Sequence, residues 1–286
     1  MLIDQWWFWL VIAVIGALIL MVALFLKLFP SILTRVVVQH KRPGDKLVAL
    51  FGDSITEGKM SHNYVNILSQ HLDHEGYCFM NAGIGGDTAY NLLNRMELVI
   101  KSQPDYVVIL VGTNDMQAFL RGGHMTPQNQ RMKKLPQAVT LDWYISQLTQ
   151  IVQILKNSTP AQIALCSIPI MGEDLESLPN QSVRLFNQSN RALSEELGIT
   201  YLPVYETMEG FLRTHQQQPG EIFDESRFGR MMFKAAWDHN ILGRSWDDFS
   251  AYNNLLLTID TVHFNRRGGE IIADLIEGWL HVRAKI

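Results

Sequence analysis

The chain begins with one long apolar run and continues with short apolar runs that alternate with amphipathic stretches. Between Trp6 and Leu26, 21 residues contain only Gly16 outside the apolar set. A helix of about 20 apolar residues spans the hydrocarbon core of a bilayer. Tryptophans at the start of the run and Lys27 after it are typical of the two membrane interfaces. The pattern predicts a transmembrane helix through residues 6–26, with the lipid bilayer as its partner.

Beyond residue 46, five short runs rich in apolar and β-branched residues predict strands. These predicted strands are 47–51, 77–80, 106–111, 163–168 and 199–202. The first, third and fourth are continuously apolar, which is typical of parallel strands covered on both faces. Helical spacing of apolar residues in 141–155, behind a Thr140 cap, and in 271–280 predicts helices that supply the cover. We therefore predict a three-layer α/β fold with a parallel five-stranded sheet, whose ligands bind at the carboxyl ends of the strands.

The chain divides into three parts by composition. Residues 1–30 form the predicted membrane anchor, residues 31–45 a basic linker, and residues 46–286 one large domain. About 240 residues suffice for a single domain with its own core. Residues 204–259 are an elaborated segment, longer than a simple connection needs, and a candidate lid.

Charge and cysteine content narrow the function classes. The formal net charge is −4 and the pI is near 6.1. Because no basic helix or zinc-finger spacing accompanies this charge, a nucleic-acid partner is excluded. Cys78 and Cys166 lie in apolar runs and are predicted to be buried thiols rather than a disulfide or a metal site.

The flanks of the apolar run favour an uncleaved anchor over a signal peptide. Residues 1–5 carry no basic side chain, and Phe29-Pro30 follows the run instead of a small-residue cleavage site. Five basic residues follow the run within about 20 positions: Lys27, Arg35, Lys41, Arg42 and Lys46. By the positive-inside rule, the domain is predicted on the cytoplasmic side of a single-pass membrane protein, with periplasmic or extracellular placement as the alternative.

Four polar motifs carry the side chains that chemistry requires. They are GDSIT at 52–56, NAGIGGDT at 81–88, GTND at 112–115 and DTVHF at 260–264. Taken singly, GDSIT and NAGIGGDT are also typical of an ordinary turn or helix cap, and the aspartate and histidine of DTVHF of a solvated pair. Together they bring a serine, an imidazole three residues after a carboxylate, and amide donors toward one edge of the sheet. That combination is what nucleophilic catalysis requires.

In this order, the four motifs resemble the sequence blocks of the SGNH (GDSL) hydrolases, over the whole predicted domain. The resemblance implies a flavodoxin-like three-layer α/β/α fold and acyl transfer that needs no metal or organic cofactor. It implies Ser54 as the nucleophile, His263 as the general base and Asp260 as the carboxylate that orients the imidazole. It also implies an oxyanion hole formed by the backbone N–H groups of Ser54 and Gly86 and the side chain of Asn114.

Two segments elaborate this minimal fold. Residues 116–137 contain four basic residues, and a solvated basic loop is favoured over a site for an anionic substrate group. Residues 203–260 are rich in methionine and aromatic residues, which form either an accessory core or the wall or lid of an acyl-chain pocket. Met232 and Phe233 are predicted to bind substrate in the second case.

The sequence therefore predicts a membrane-anchored serine esterase or lipase-like hydrolase that cleaves an acetyl or longer-chain O-acyl ester. An O-acyltransferase would use the same residues, with another alcohol in place of water. A catalytically silent membrane-tethered binding module is the alternative from another class. The complete set of Ser54, Gly86, Asn114, Asp260 and His263 argues against a silent module.

Overall fold

The computed structural model describes residues 3–28, 37–38 and 42–283, and a single sheet forms its centre. Its strands are β1 Val37–Val38, β2 Lys46–Gly52, β3 Tyr77–Gly83, β4 Tyr106–Leu110, β5 Gln162–Cys166 and β6 Thr200–Leu202. They lie in the order β1-β3-β2-β4-β5-β6. Strands β2 to β6 are parallel, and β1 runs antiparallel to β3 at the edge. The predicted parallel five-stranded sheet is confirmed, and part of the segment predicted as a linker adds the sixth strand.

Helices cover both faces of the sheet. The helices among the described residues are α1 Ile3–Leu28, α2 Ser54–Glu57, α3 Tyr64–Leu72, α4 Ala89–Asn94, α5 Glu97–Ser102, α6 Thr113–Leu120, α7 Pro127–Lys133, α8 Leu141–Ser158, α9 Leu178–Glu196, α10 Val204–His215, α11 Glu225–Asn240, α12 Trp246–Tyr252 and α13 Arg266–Arg283. Helix α13 packs against α3 and α10, whereas α8 packs against α4 and α9. These two groups form the outer layers of the predicted three-layer fold, which is confirmed.

The core forms where the sequence is continuously apolar. Every residue of β4 is buried, and so is every residue of β2 after Lys46. Helix α8 begins directly after Thr140, whose hydroxyl accepts a hydrogen bond from Trp143 N at 3.2 Å, as its predicted cap requires. Cys78 and Cys166 are buried thiols, as predicted. Full burial on both faces explains why these strands lack the alternation of a half-exposed sheet.

The register of the strands places the GDSIT, NAGIGGDT and GTND motifs side by side at the same end of the sheet. Gly52 at the end of β2 lies opposite Gly83 of β3 and Leu110 of β4. The turns that follow these strands therefore emerge side by side at the carboxyl edge of the sheet. This is the edge where ligands of parallel α/β sheets bind.

The elaborated segment 204–259 builds a second, smaller core. Helices α11 and α12 enclose a cluster that consists of Met60, Ala235, Ala236, Trp246, Phe249 and Ile259. Met232 and Trp237 pack against this cluster as partly buried side chains. The segment therefore includes an accessory core, one of the two structures predicted for its aromatic and methionine residues.

Helix α1 is long and apolar enough to cross a membrane. Its span Trp6–Lys27 has 22 residues and a mean hydropathy of 3.0. Of the side chains described in this helix, all are exposed except that of Leu26, which is half-buried. An apolar helix near the N-terminus is typical of a membrane span or of a signal sequence, and length and composition alone do not distinguish them.

Candidate active site

Ser54 is the first residue of α2, a four-residue helix that β2 delivers to the sheet edge. The Asp53 side chain caps this helix and accepts a hydrogen bond from Ile55 N at 3.0 Å. Helix α2 can press against β3 because Gly83 has no side chain: a Cβ there would lie 2.1 Å from Glu57 N. The absence of a Cβ thus allows α2, which begins with Ser54, to lie close against the neighbouring strand.

Asp260 and His263 lie in one tight turn and face Ser54. The Asp260 carboxylate accepts hydrogen bonds from Val262 N at 3.1 Å and from His263 N at 2.7 Å. Its second oxygen lies 2.7 Å from His263 Nδ1, and His263 Nε2 lies 2.9 Å from Ser54 Oγ. Because a carboxylate only accepts, Nδ1 carries a proton and Nε2 is left to accept from the Ser54 hydroxyl. The structure thus joins three predicted site residues in one hydrogen-bonded chain.

Thr261, between these two residues, has a strained backbone. Its φ is +74°, in the left-handed region that β-branched residues rarely adopt. Its buried hydroxyl has no hydrogen-bond partner among the described residues. Strain of this kind costs about 1–3 kcal/mol and persists where surrounding contacts over-determine the backbone.

The structure places Asn114 between the two segments that contain Ser54 and Gly86. Asn114, the second residue of α6, donates through Nδ2 to Asp87 O at 3.0 Å and lies 3.4 Å from the Asp53 carboxylate. Asn114 therefore sits between the residue that precedes Ser54 and the residue that follows Gly86. Gly86 lies in the turn between β3 and α4. Its φ of +77° is a conformation that a residue with a side chain rarely adopts.

Two cations hold the Gly86 turn through Asp87. The Asp87 carboxylate lies 2.6 Å from Arg95 Nε on one side and 2.6 Å from Lys133 Nζ on the other. Lys133 also donates to Gly85 O at 2.7 Å, and its side chain is only 12% exposed. Lys133 belongs to the segment predicted to be a solvated basic loop, and for this residue that prediction is wrong. The cation is mostly shielded from solvent because it donates to the Gly86 turn.

The match to a known family agrees with these motifs. The model of the GDSL-like lipase/acylhydrolase family matches residues 50–271, more than half of the chain. The chain belongs to this family. It is a hydrolase that acts on ester bonds. No curated protein matches the chain.

Solved structures share the fold of this GDSL-family chain at low sequence identity. The acetyl xylan esterase AlAXEase has a TM-score of 0.60 and 21% identity, over 81% of this chain and 98% of its own. Axe2, an acetylxylan esterase from Geobacillus stearothermophilus, has a TM-score of 0.56 and 21% identity, over 82% and 92%. LAE5, an alpha/beta hydrolase from the metagenome of Lake Arreo in Spain, has a TM-score of 0.57 and 20% identity, over 82% and 93%. These similarities show a common fold.

Several acidic side chains are buried around Ser54. Burial raises the pKa of Asp53, of Glu57 and of Asp115 to about 7 in each case. Burial alone would lower the pKa of His263, but the charge of Asp260 and its hydrogen bond raise it by more, so the net shift is upward. Several groups around the site therefore titrate near neutral pH.

These raised pKa values predict that the free energy of unfolding falls as the pH rises from about 5 to about 8. Asp53, Glu57 and Asp115 have folded pKa values of about 7, above the ordinary values of 3.8, 4.5 and 3.8. The folded state thus binds more protons than the unfolded state, and that stabilisation is lost as the pH rises through the folded pKa. Urea unfolding over this range measures the slope.

Asp115→Asn provides the control for this pH dependence. The amide keeps the shape of the carboxyl group, which accepts from Ala89 N at 3.1 Å, but it does not titrate. The variant should show a shallower decline of stability with pH than the natural chain. Stability that rises between about pH 5 and about pH 8 in the natural chain would contradict the prediction.

Helix α11 places Phe228, one of the aromatic residues of the elaborated segment, beside His263. The Phe228 ring stacks on the His263 ring, with the centroids 6.2 Å apart. Met232 packs against the accessory core, and Phe233 is 48% exposed and stacks on Trp237. The pocket role predicted for Met232 and Phe233 stays a prediction, and Phe228 is the α11 residue that lies against the hydrogen-bonded chain. The sequence does not show which face of α11 lies toward the site, so it could not predict the contact between Phe228 and His263.

Among the described residues, side chains of the kinds that bind metals gather at one place outside this site. His71, Asp274 and Glu277 bring possible ligand atoms within 4.8 Å of one another on α3 and α13. His71 Nδ1 lies 2.9 Å from Glu277 Oε2, as in an ordinary surface ion pair. We assign these residues no role in the chemistry at Ser54.

Proposed function

We propose that this chain hydrolyses an O-acyl ester through a covalent acyl-enzyme on Ser54. His263 Nε2 takes the hydroxyl proton as Ser54 Oγ attacks the carbonyl carbon, and Asp260 stabilises the imidazolium. The bond to the leaving oxygen then breaks, and His263 returns the proton to the alcohol. In the second half of the reaction, His263 takes a proton from water as the water oxygen attacks the acyl carbon. The bond to Ser54 Oγ then breaks, His263 returns the proton to Ser54, and the free acid leaves. The supporting observation is the hydrogen-bonded chain from Ser54 Oγ through His263 to Asp260, at 2.9 and 2.7 Å.

A structural relative supports the same assignment. Axe2 variants in which a serine, a histidine or an aspartate is replaced by alanine are each described as catalytic mutants. The aspartate of that protein stands three positions before the histidine, as Asp260 does before His263 in this chain. The shared spacing favours the same division of roles.

For the oxyanion we propose the backbone N–H groups of Ser54 and Gly86 together with Asn114 Nδ2. The tetrahedral intermediate places negative charge on the former carbonyl oxygen, so donors fixed in advance lower the barrier. Asn114 is 8% exposed. Helix α2 carries Ser54, and helix α6 carries Asn114. The salt bridges of Asp87 with Arg95 and Lys133 fix the Gly86 turn.

The substrate class is tested by product analysis. We propose an acetyl or longer-chain O-acyl ester as substrate, because the structural relatives include acetyl xylan esterases. A panel of esters of graded acyl length, with and without added acceptor alcohols, measures both preference and product. Free acid as the product supports the hydrolase. A new ester formed from the added alcohol in preference to acid would identify an acyltransferase.

Acyl-length preference is expected to depend on α11. If this helix covers the substrate pocket, Phe228→Ala, Met232→Ala and Phe233→Ala should change relative kcat/KM across the panel, by up to about 1–3 kcal/mol per altered contact. The reason is that a removed apolar contact affects only the acyl chains that reach it. Phe249→Leu in the accessory core is the control and should lower the melting temperature without changing the preference. An equal loss for every ester would limit α11 to a packing role.

We also propose that α1 anchors the enzyme in a membrane, with the catalytic domain on the cytoplasmic face. The support is the 22-residue apolar span, the five basic residues that follow it, and the absence of any in residues 1–5.

Cysteine accessibility in intact cells tests this topology. A single cysteine is placed at the exposed Gln217, in a background that lacks the buried Cys78 and Cys166. With a cytoplasmic domain, an impermeant maleimide should label the protein only after lysis. Labelling of intact cells would place the domain on the other side.

A further inference from the structure

Glu173, in the loop after β5, is a fully buried carboxylate that the proposed chemistry does not use. It accepts hydrogen bonds from Leu256 N at 2.8 Å, Leu257 N at 2.9 Å and Thr258 N at 2.8 Å. The Thr258 hydroxyl lies 2.9 Å from the same carboxylate. All four donors are uncharged, and three come from consecutive backbone N–H groups. A buried carboxylate is costly unless such donors surround it, so the carboxylate and this backbone segment fix each other.

The held segment leads directly into the turn that carries Asp260 and His263. Backbone hydrogen bonds close this turn: Asn265 N donates to Leu257 O at 3.0 Å, and Ile259 N donates to His263 O at 2.8 Å. Asp260 stands two residues after the last donor to Glu173. A shift of this segment would therefore move the Asp260 carboxylate and the His263 ring relative to Ser54.

The same loop holds the turn at a second point. Gly172 N, next to Glu173, donates to Thr261 O at 2.7 Å, and Glu173 N donates to Glu221 O at 2.7 Å. Thr261 has the strained φ of +74°. A strained backbone persists where neighbouring contacts over-determine it, and residues 172–173 supply such contacts on both sides of Asp260.

We propose that Glu173 is a positioning residue that sets the geometry of the Asp260–His263 pair against Ser54. This inference rests on the proposed function of those three residues. Glu173 touches neither substrate nor the reacting atoms, and it acts through the backbone of 256–258. A carboxylate suits the position because both of its oxygens accept, whereas an amide would turn one N–H donor toward backbone N–H groups.

Glu173→Gln tests the proposal on the full chain with a soluble short-chain ester. We expect kcat per folded molecule to fall by about tenfold to a hundredfold, with KM little changed, because a small misplacement of a catalytic group has that effect. The acid limb of kcat/KM should move to lower pH, since a displaced Asp260 raises the pKa of His263 less. Trp279→Phe, which removes a hydrogen bond to Thr200 remote from the turn, is the control. It should lower the melting temperature and leave kcat and the acid limb unchanged.

Thr258→Val keeps the proposal testable if Glu173→Gln does not fold. It removes only the hydroxyl donor to Glu173 and should produce smaller changes in the same directions. Amide exchange at 256–258 should be faster in either variant, which is a readout independent of activity. Wild-type kcat and an unchanged acid limb in the variant that folds would overturn the positioning role. Ser54→Ala, measured in parallel, reports separately on the proposed function. Retained activity in that variant would refute Ser54 as the nucleophile but would not bear on the hydrogen bonds of Glu173.

Discussion

Replacing Ser54 or His263 with alanine is expected to lower kcat by about 10⁴-fold or more, and the double variant should be little worse than either single one. The two side chains act as one unit, because Ser54 Oγ is activated only while His263 Nε2, 2.9 Å away, can take its proton. Removal of either group therefore removes the same step. Steady-state kinetics on one activated ester, for the natural chain and the three variants, measures the effect.

Matched controls separate this effect from general damage. Ser102→Ala at the end of α5 and His71→Ala in α3 change the same residue types away from the turn, and both should retain nearly full activity. Multiplying losses in the double variant would show that Ser54 and His263 act independently. That outcome would contradict a shared step.

Asn114→Ala is expected to lower kcat by about 10² to 10³, with KM much less affected, because an oxyanion donor acts mainly on the transition state. The same amide donates to Asp87 O at 3.0 Å, so the melting temperature is measured alongside the kinetics. Gln117→Ala, one turn later on α6 and also buried, is the control for packing of that helix. An unchanged kcat in Asn114→Ala would remove Asn114 from the oxyanion hole.

The architecture was predictable because its signals are local. Continuous apolar runs such as 106–111 mark strands covered on both faces, and Thr140 marks the start of α8. Parallel strands end at one edge, so the motifs after Gly52, Gly83 and Leu110 could be placed together before any distance was known. Residue spacing within one turn likewise brought Asp260 and His263 into a single prediction.

The supports of the site were not predictable because they depend on contacts between distant segments. The basic residues around Lys133 predict a side chain in solvent. Only the fold brings Lys133 to Asp87, which lies 46 residues earlier in the chain. Phe228 reaches His263 through the turn of α11, and Glu173 reaches Thr258 across 85 residues. No local pattern encodes such pairings. The antiparallel strand β1 was missed because two residues are too few to give a periodic signal.

Labelling with a fluorophosphonate, followed by peptide mapping by mass spectrometry, tests the central claim most directly. Such a probe reacts with a serine hydroxyl that a neighbouring base activates. A serine activated by His263 predicts one adduct per molecule, on the peptide that contains Ser54, and no adduct in Ser54→Ala or His263→Ala. Labelling that persists in Ser54→Ala, or an adduct mapped to another residue, would contradict the assignment of Ser54 as the nucleophile.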